Sequence, residues 1–205
     1  MNKTEYFLHI FKLAGKKYGK HEKRLAGDGW NHGWQTLIAT IMSAQTRDEV
    51  TIPAAENLFK KYNSVEKLSK AKVGKVLKII KSVNFSKTKA NNVVNAAKML
   101  VKNCNGGVPD SIDELIKLPG VGRKTANLVL SEVHAKNGIC VDTHVHRISN
   151  VLGLVKTKTP TETEFALMKI APIKYWSRIN RIFVLWGKNV RGRDKKVLLR
   201  RINTR

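Results

Sequence analysis

The stretch "LPGVGRKTANL", Leu118–Leu128, sets Pro119, Gly120 and Gly122 between two segments of helical apolar pattern. Before it, Ile112, Leu115 and Ile116 recur at three- and four-residue intervals; after it, Ala126, Val129, Leu130 and Val133 do the same. Pro119 and Gly120 stop the first segment, and a second helix is expected to open after Gly122, which makes the unit a helix-hairpin-helix. Glycines in such a turn permit positive φ and keep Cβ atoms out of the path of an approaching ligand. The N–H groups that open the second helix lack intrahelical partners, and together with the helix dipole they suit a phosphate. Taken alone, the glycines would equally serve a tight interhelical loop.

Outward from the hairpin, the same periodicity returns at Phe7, Ile10, Phe11 and Ala14, at Trp34, Leu37, Ile38, Ile41 and Met42, and at Val73, Val76, Leu77 and Ile80. It continues at Ala90, Val93, Val94 and Ala97, and at Ile179, Ile182, Phe183 and Trp186. These stripes are core faces of packed helices. Ser111 with Glu114, and Thr161 with Glu164, have the spacing of capping boxes at helix starts. The longest strand-like run, Ile139 to Val141, is too short to found a sheet. The fold class is therefore all-α. Mild composition breaks fall at Gly27 to Gly33 and at Lys136 to Gly138.

The charge balance points to a partner. Among 205 residues, 39 Lys+Arg stand against 15 Asp+Glu, a formal charge of +24 with a sequence pI near 10.3. A surplus of that size predicts a polyanion, with solubility in an unusual cytoplasm as the bland alternative. No run approaches the roughly 18 apolar residues needed to span a bilayer, and no charged-then-apolar leader with a small-residue cleavage site stands at the start, so neither membrane nor export is expected. The two cysteines, Cys104 and Cys140, belong to no Cys-x-x-Cys pair, and the chain reads as intracellular and reduced.

Two polar positions carry chemistry. Lys124 opens the helix after the hairpin; a solvated or snorkelling phosphate contact is its plain reading. An amine nucleophile is the other, since a helix N-terminus, partial burial and a cation such as Arg123 all ease loss of the ammonium proton. The second cluster, "VDTHVHR" at 141–147, offers Asp142 and Thr143 as caps for a helix carrying Val145, Ile148, Val151 and Leu152. A helix start favours the charged form of a carboxylate, which suits Asp142 to stabilise a developing cation. Asp142, His144 and His146 also alternate as Asp-x-His-x-His, a possible hydrolytic metal set. Against that, positions two apart on a helix do not share a face, and the chain offers no second His/Asp cluster.

Hairpin, helix, apolar link and "VDTHVHR" in this order resemble the helix-hairpin-helix base-excision DNA glycosylase superfamily, and within it the endonuclease III branch, over about Trp34 to Gly187. The resemblance implies a bilobal all-α fold with a DNA-binding cleft between two helical lobes. Residues 26–136 would form the central domain carrying the hairpin, and 1–25 with 137–205 the second. It assigns Lys124 as the nucleophile that attacks the sugar C1′ and forms a Schiff base, and Asp142 as the carboxylate assisting base loss. A lysine there implies β-elimination after removal of a damaged, oxidised pyrimidine from duplex DNA. Gly120, Val121, Gly122, Arg123 and Thr125 of the hairpin region would contact DNA, as would His144 and Arg147.

"IMSAQTRD" at 41–48 resembles the turn whose glutamine, here Gln45, enters the space left by a flipped base. "KSVNFSKTKA" at 81–90 resembles the loop with an intercalating apolar residue, here Phe85. Without the resemblance, Gln45 would be read as a helix-end turn residue and Phe85 as a core aromatic. Two departures matter. Many relatives end in a four-cysteine iron-sulfur module, whereas "KNVRGRDKKVLLRRINTR" after Gly187 holds no cysteine, so no cluster and no metal are expected. The basic tail would then supply phosphate contacts, and truncation after Lys188 would weaken binding and flatten its salt dependence. Asn84-Phe85 also stands where relatives often have glycine and an aliphatic residue, so opposite-base preference does not carry over.

The expected protein is a monomer in the cytoplasm, associated with the nucleoid, acting on double-stranded DNA that contains a damaged base or abasic site. A base-removing enzyme without lyase activity, a thymine- or uracil-directed mismatch enzyme, a non-catalytic DNA-binding hairpin protein and a metal-dependent nuclease are the alternatives.

Overall fold

The computed structural model describes residues 2–19, 24–136 and 138–203. Residues 20–23, and residue 137 in the break at 136–138, lie outside the described residues. Two compact units emerge, Met1–Glu22 with Asn137–Arg205, and Lys23–Lys136. Among the described residues there is no strand.

Following α1 (Lys3–Tyr18) in chain order, the Lys23–Lys136 unit holds α2 (Gly33–Ser43), α3 (Asp48–Lys61), α4 (Val65–Ser69), α5 (Val73–Ile79), α6 (Ser86–Cys104), α7 (Ile112–Leu115) and α8 (Arg123–His134). Its core joins Leu37, Ile38, Ile41 and Met42 of α2 to Val93, Val94 and Ala97 of α6 and to Ala126 and Val129 of α8. Every fourth or third residue of α2 is apolar, so one continuous face can be removed from water at about 25 cal/mol per Å². Trp30 and Trp34 both meet the Phe59 ring edge-on, with centroids 4.9 and 5.1 Å away. That geometry suits the aromatic quadrupoles.

The other unit contains α1 (Lys3–Tyr18), α9 (Thr143–Val151), α10 (Pro160–Met168), a 3₁₀ turn (Ile173–Tyr175), α11 (Trp176–Asn189) and α12 (Lys195–Asn203). Phe7, Ile10, Phe11 and Ala14 of α1 pack with Ile179, Ile182, Phe183 and Trp186 of α11. α1 opens with a complete capping box between Asn2 and Glu5. Leu198 and Ile202 bury one face of α12, and the extended link Ile139–Val141 runs through the same core.

Two helix starts depart from the expected capping boxes. α10 is capped by Thr159, whose Oγ1 accepts from Glu162 N at 3.2 Å, and not by Thr161 with Glu164. Pro160 decides this: its fixed φ and missing N–H fit the first helical position, which places the cap at Thr159, two residues before Thr161. At Ser111 only half of the expected box forms. Its Oγ accepts from Glu114 N at 3.4 Å, while the Glu114 carboxylate takes Lys117 Nζ at 2.5 Å.

Candidate functional site

The hairpin is built by a chain reversal between α7 and α8. Leu118 N donates to Leu115 O and Val121 N to Leu118 O, each at 3.1 Å. Gly120 has φ +80, and a Cβ there would stand 2.8 Å from Asn92 Nδ2 and 3.0 Å from Ile41 Cγ2. Both the turn and the close approach of α2 and α6 therefore require glycine. Gly122 is different, because nothing lies within 4 Å of its Cβ position. As the N-cap of α8 it brings no side chain to cap that helix. Val121 is buried in the core, so only its backbone is available to a ligand. Arg123 and Thr125 are half-buried, while Lys124 is exposed. The partial burial expected for Lys124 is thus absent.

In the other unit, Asp142 caps α9 as expected, and does so through one oxygen. Oδ1 accepts from His144 N at 2.9 Å and from Val145 N at 2.8 Å, which leaves Oδ2 outside the cap. The link before it is held by Asn180 Nδ2 donating to Cys140 O at 3.0 Å. His144 packs on Gly187, where a Cβ would stand 2.8 Å from its Cγ. His146 turns elsewhere, with Nδ1 2.6 Å from Thr163 Oγ1. Asp142, His144 and His146 thus serve a cap, a packing contact and a hydroxyl. Among the described residues no three His, Cys, Asp or Glu side chains gather to hold a metal.

Arg147 has a structural occupation. Its guanidinium donates to the carbonyl oxygens of Gly187 (3.1 Å) and Val190 (3.0 Å) and to that of Gly192. A cation satisfying the orphan carbonyls at the end of α11 is electrostatically well placed. It ties the start of the basic tail to α9, and phosphate contact is not its evident role.

Gln45 and Phe85, 40 positions apart in the chain, are linked within one unit. Both adopt left-handed backbone, with φ 53 and 56. Phe85 is 65% exposed, the most exposed of the large hydrophobic side chains described, so it is no core aromatic. Asn84 Nδ2 donates to Gln45 O at 2.6 Å. Lys89, only 5% exposed, sends its ammonium to Met42 O (2.7 Å), Ala44 O (2.5 Å) and Thr46 Oγ1 (3.0 Å). Burial pushes that ammonium down to about 8. Neither Asn84's bond nor Lys89 was anticipated from the sequence. A signal for Lys89 existed: it stands on the apolar stripe of α6 four residues before Val93, where a cation must find partners.

An all-helical chain with an uncapped helix after a glycine hairpin, and a capping aspartate after an apolar link, defines a helix-hairpin-helix protein. Residues 38–172 match the HhH-GPD superfamily base excision DNA repair protein model. The chain is 47% identical over 157 residues to endonuclease III of Thermotoga maritima, covering 77% of this chain and 74% of that protein. It is 35% identical over 190 residues to endonuclease III of Buchnera aphidicola, covering 93% and 89%. A trapped endonuclease III-DNA covalent intermediate superposes with a TM-score of 0.84 at 32% identity, covering 92% of this chain and 88% of that one. A non-covalent endonuclease III-DNA complex gives 0.83 at 32% identity, covering 92% and 86%. A thermostable thymine-DNA glycosylase, at 18% identity and a TM-score of 0.76, shares the fold. The chain belongs to the HhH-GPD superfamily of base excision DNA repair proteins.

Proposed function

We propose that the chain excises damaged pyrimidines from duplex DNA and nicks the strand at the resulting site, with Lys124 as the nucleophile and Asp142 as the carboxylate that assists base loss. The observation that carries this reading is Lys124 itself, exposed in the first turn of α8 directly after the Gly120-Gly122 hairpin. It stands in a chain 32% identical to an endonuclease III caught in covalent linkage to DNA. The base must leave the stack before an amine reaches its sugar, at a cost of a few kcal/mol. The Lys124 amine then forms a bond to C1′ as the base departs. Opening of the C1′–O4′ bond, with a proton passing from the amine nitrogen to O4′, gives the Schiff base; loss of a C2′ proton from its iminium form then expels the 3′ phosphate ester, which completes the β-elimination. The hairpin backbone from Gly120 to Gly122, with Arg123 and Thr125, supports phosphate contact at the helix start. Gln45 and Phe85 support filling of the vacated space.

The test is a duplex with one thymine glycol, incubated with the chain in excess EDTA. Nicking is expected to persist, leaving an unsaturated sugar remnant on one end and a phosphate on the other. Base removal without a nick would leave the base-removing reading; nicking abolished by EDTA would favour a metal-dependent nuclease.

The same reading extends to cofactor, partner and location. A four-cysteine cluster does not fit these 205 residues, which hold Cys104 and Cys140 alone, in separate units and both free. The protein works as a monomer on nucleoid DNA in the cytoplasm, and no helix among the described residues is long and apolar enough to cross a membrane. The basic tail supports phosphate contact, but truncation after Lys188 is the wrong probe, since it removes the buried Val190, Leu198 and Ile202 and two carbonyls that engage Arg147. Lys196 and Arg200 are exposed on α12. Changing both to Gln is expected to lower the slope of log Kd against log salt by about 0.9 per lost contact. An unchanged slope in a binding titration would remove the tail from the DNA interface.

A further inference from the structure

We propose that Lys89 and Asn84 are positioning residues that lock Gln45 and Phe85 into one preformed pair of probes for unstacking a base. This rests on the proposed function, and goes beyond it in saying what holds the two probing residues before DNA arrives.

The turn around Gln45 is over-determined. α2 ends at Ser43, and its last carbonyls have no helical partners. Lys89 Nζ takes Met42 O and Ala44 O, on the side where a cation also answers the helix dipole, and reaches Thr46 Oγ1 beyond. Thr46 N closes on Ser43 O at 3.0 Å. Asn84 Nδ2 occupies the carbonyl of Gln45. Residues on both sides of Gln45 are therefore tethered, and its side chain is the part left exposed. Left-handed backbone is unfavourable at a residue with a Cβ, and it persists where surrounding bonds impose it.

Lys89 also anchors the other probe. Its backbone N donates to Phe85 O at 3.0 Å, a bond in the first turn of α6. Phe85 is the left-handed N-cap of that helix. One residue thus holds Phe85 by its backbone and the Gln45 turn by its ammonium, and Asn84 joins the two loops directly. Being buried, Lys89 is no phosphate contact; its charge is consumed within the protein. An exposed aromatic on a tethered cap and a polar residue on a tethered turn meet DNA with their backbones already ordered, so less order has to be imposed on binding.

The test compares the native chain with Asn84→Ala, Lys89→Met and Lys89→Arg on three readouts. These are base release from a thymine glycol duplex, the fluorescence rise of a 2-aminopurine beside the lesion, and borohydride trapping on a single-stranded abasic oligonucleotide. Asn84→Ala is expected to slow duplex base release about 3- to 10-fold, the weight of one hydrogen bond. Lys89→Met is expected to slow it about 30-fold or more, as three charge-assisted bonds are lost. Lys89→Arg should recover part of that loss. The fluorescence rise should shrink in step, while single-strand trapping stays within about twofold, because no stacked duplex has to be opened there. Unchanged duplex rates in Asn84→Ala and Lys89→Met would overturn the proposal, and so would equal losses on duplex and single strand, which mark general damage to the fold. Failure of the native chain to trap the abasic strand would instead overturn the lyase reading. The fluorescence change needs no chemistry and would still report on the probes.

Discussion

Lys124→Ala is expected to abolish the covalent product that borohydride captures between this chain and an abasic-site duplex, and to lower strand nicking by on the order of 10⁴-fold. Reduction traps only an imine carbon bound to the attacking nitrogen, so removal of that nitrogen removes the band. Lys124→Arg separates nucleophile from cation. A guanidinium keeps the positive charge and its phosphate contact but is not deprotonated in proteins. If Lys124 attacks, the arginine variant binds DNA and fails to trap. If Lys124 only touches phosphate, the arginine variant behaves as the native chain, and Lys124→Ala costs about one unit of salt slope and little else. A trapped band that survives in Lys124→Ala would overturn the assignment.

Asp142→Asn is expected to slow base release from a thymine glycol duplex by about 10²- to 10³-fold while leaving thermal stability nearly unchanged. The amide oxygen of asparagine can accept the His144 and Val145 N–H bonds that Oδ1 now takes, and Asn and Asp are about equal as N-caps. What the substitution removes is the negative charge. A preorganised charge facing a cation that develops in the transition state is worth roughly 3–4 kcal/mol. Asp142→Ala, by contrast, also loses the cap, and melting should show an added cost of about 1 kcal/mol. Base release unaffected by Asp142→Asn would make Asp142 a cap alone. The discriminating pair is a melting curve and a single-turnover rate on the same two variants.

Much of the helical framework was legible from periodicity. The stripes on α1, α2, α6 and α11 are the faces that the two cores bury, because a 3.6-residue repeat of apolar side chains is a local property. The hairpin turn and the Asp142 cap were legible for the same reason, since φ preference and capping act over a few residues. Pro160 shows the limit even of that local reading: Thr161 with Glu164 was the expected box, but the fixed φ and missing N–H of proline suit the first helical position and put the cap at Thr159.

The sequence by itself determined an all-helical class, the glycine hairpin ahead of Lys124, the cap at Asp142 and a surplus of positive charge. Only the tertiary structure decided which cations are available to a partner. Arg147 is spent on carbonyls 40 and more positions later, and Lys89 on carbonyls 47 and 45 positions earlier. Lys124 is exposed where partial burial was expected, and Phe85 stands out from the surface. The physical reason is that orphan carbonyls at a helix end accept a donor from whatever segment packs beside them. That neighbour is set by packing between distant segments, and no local pattern of residues names it.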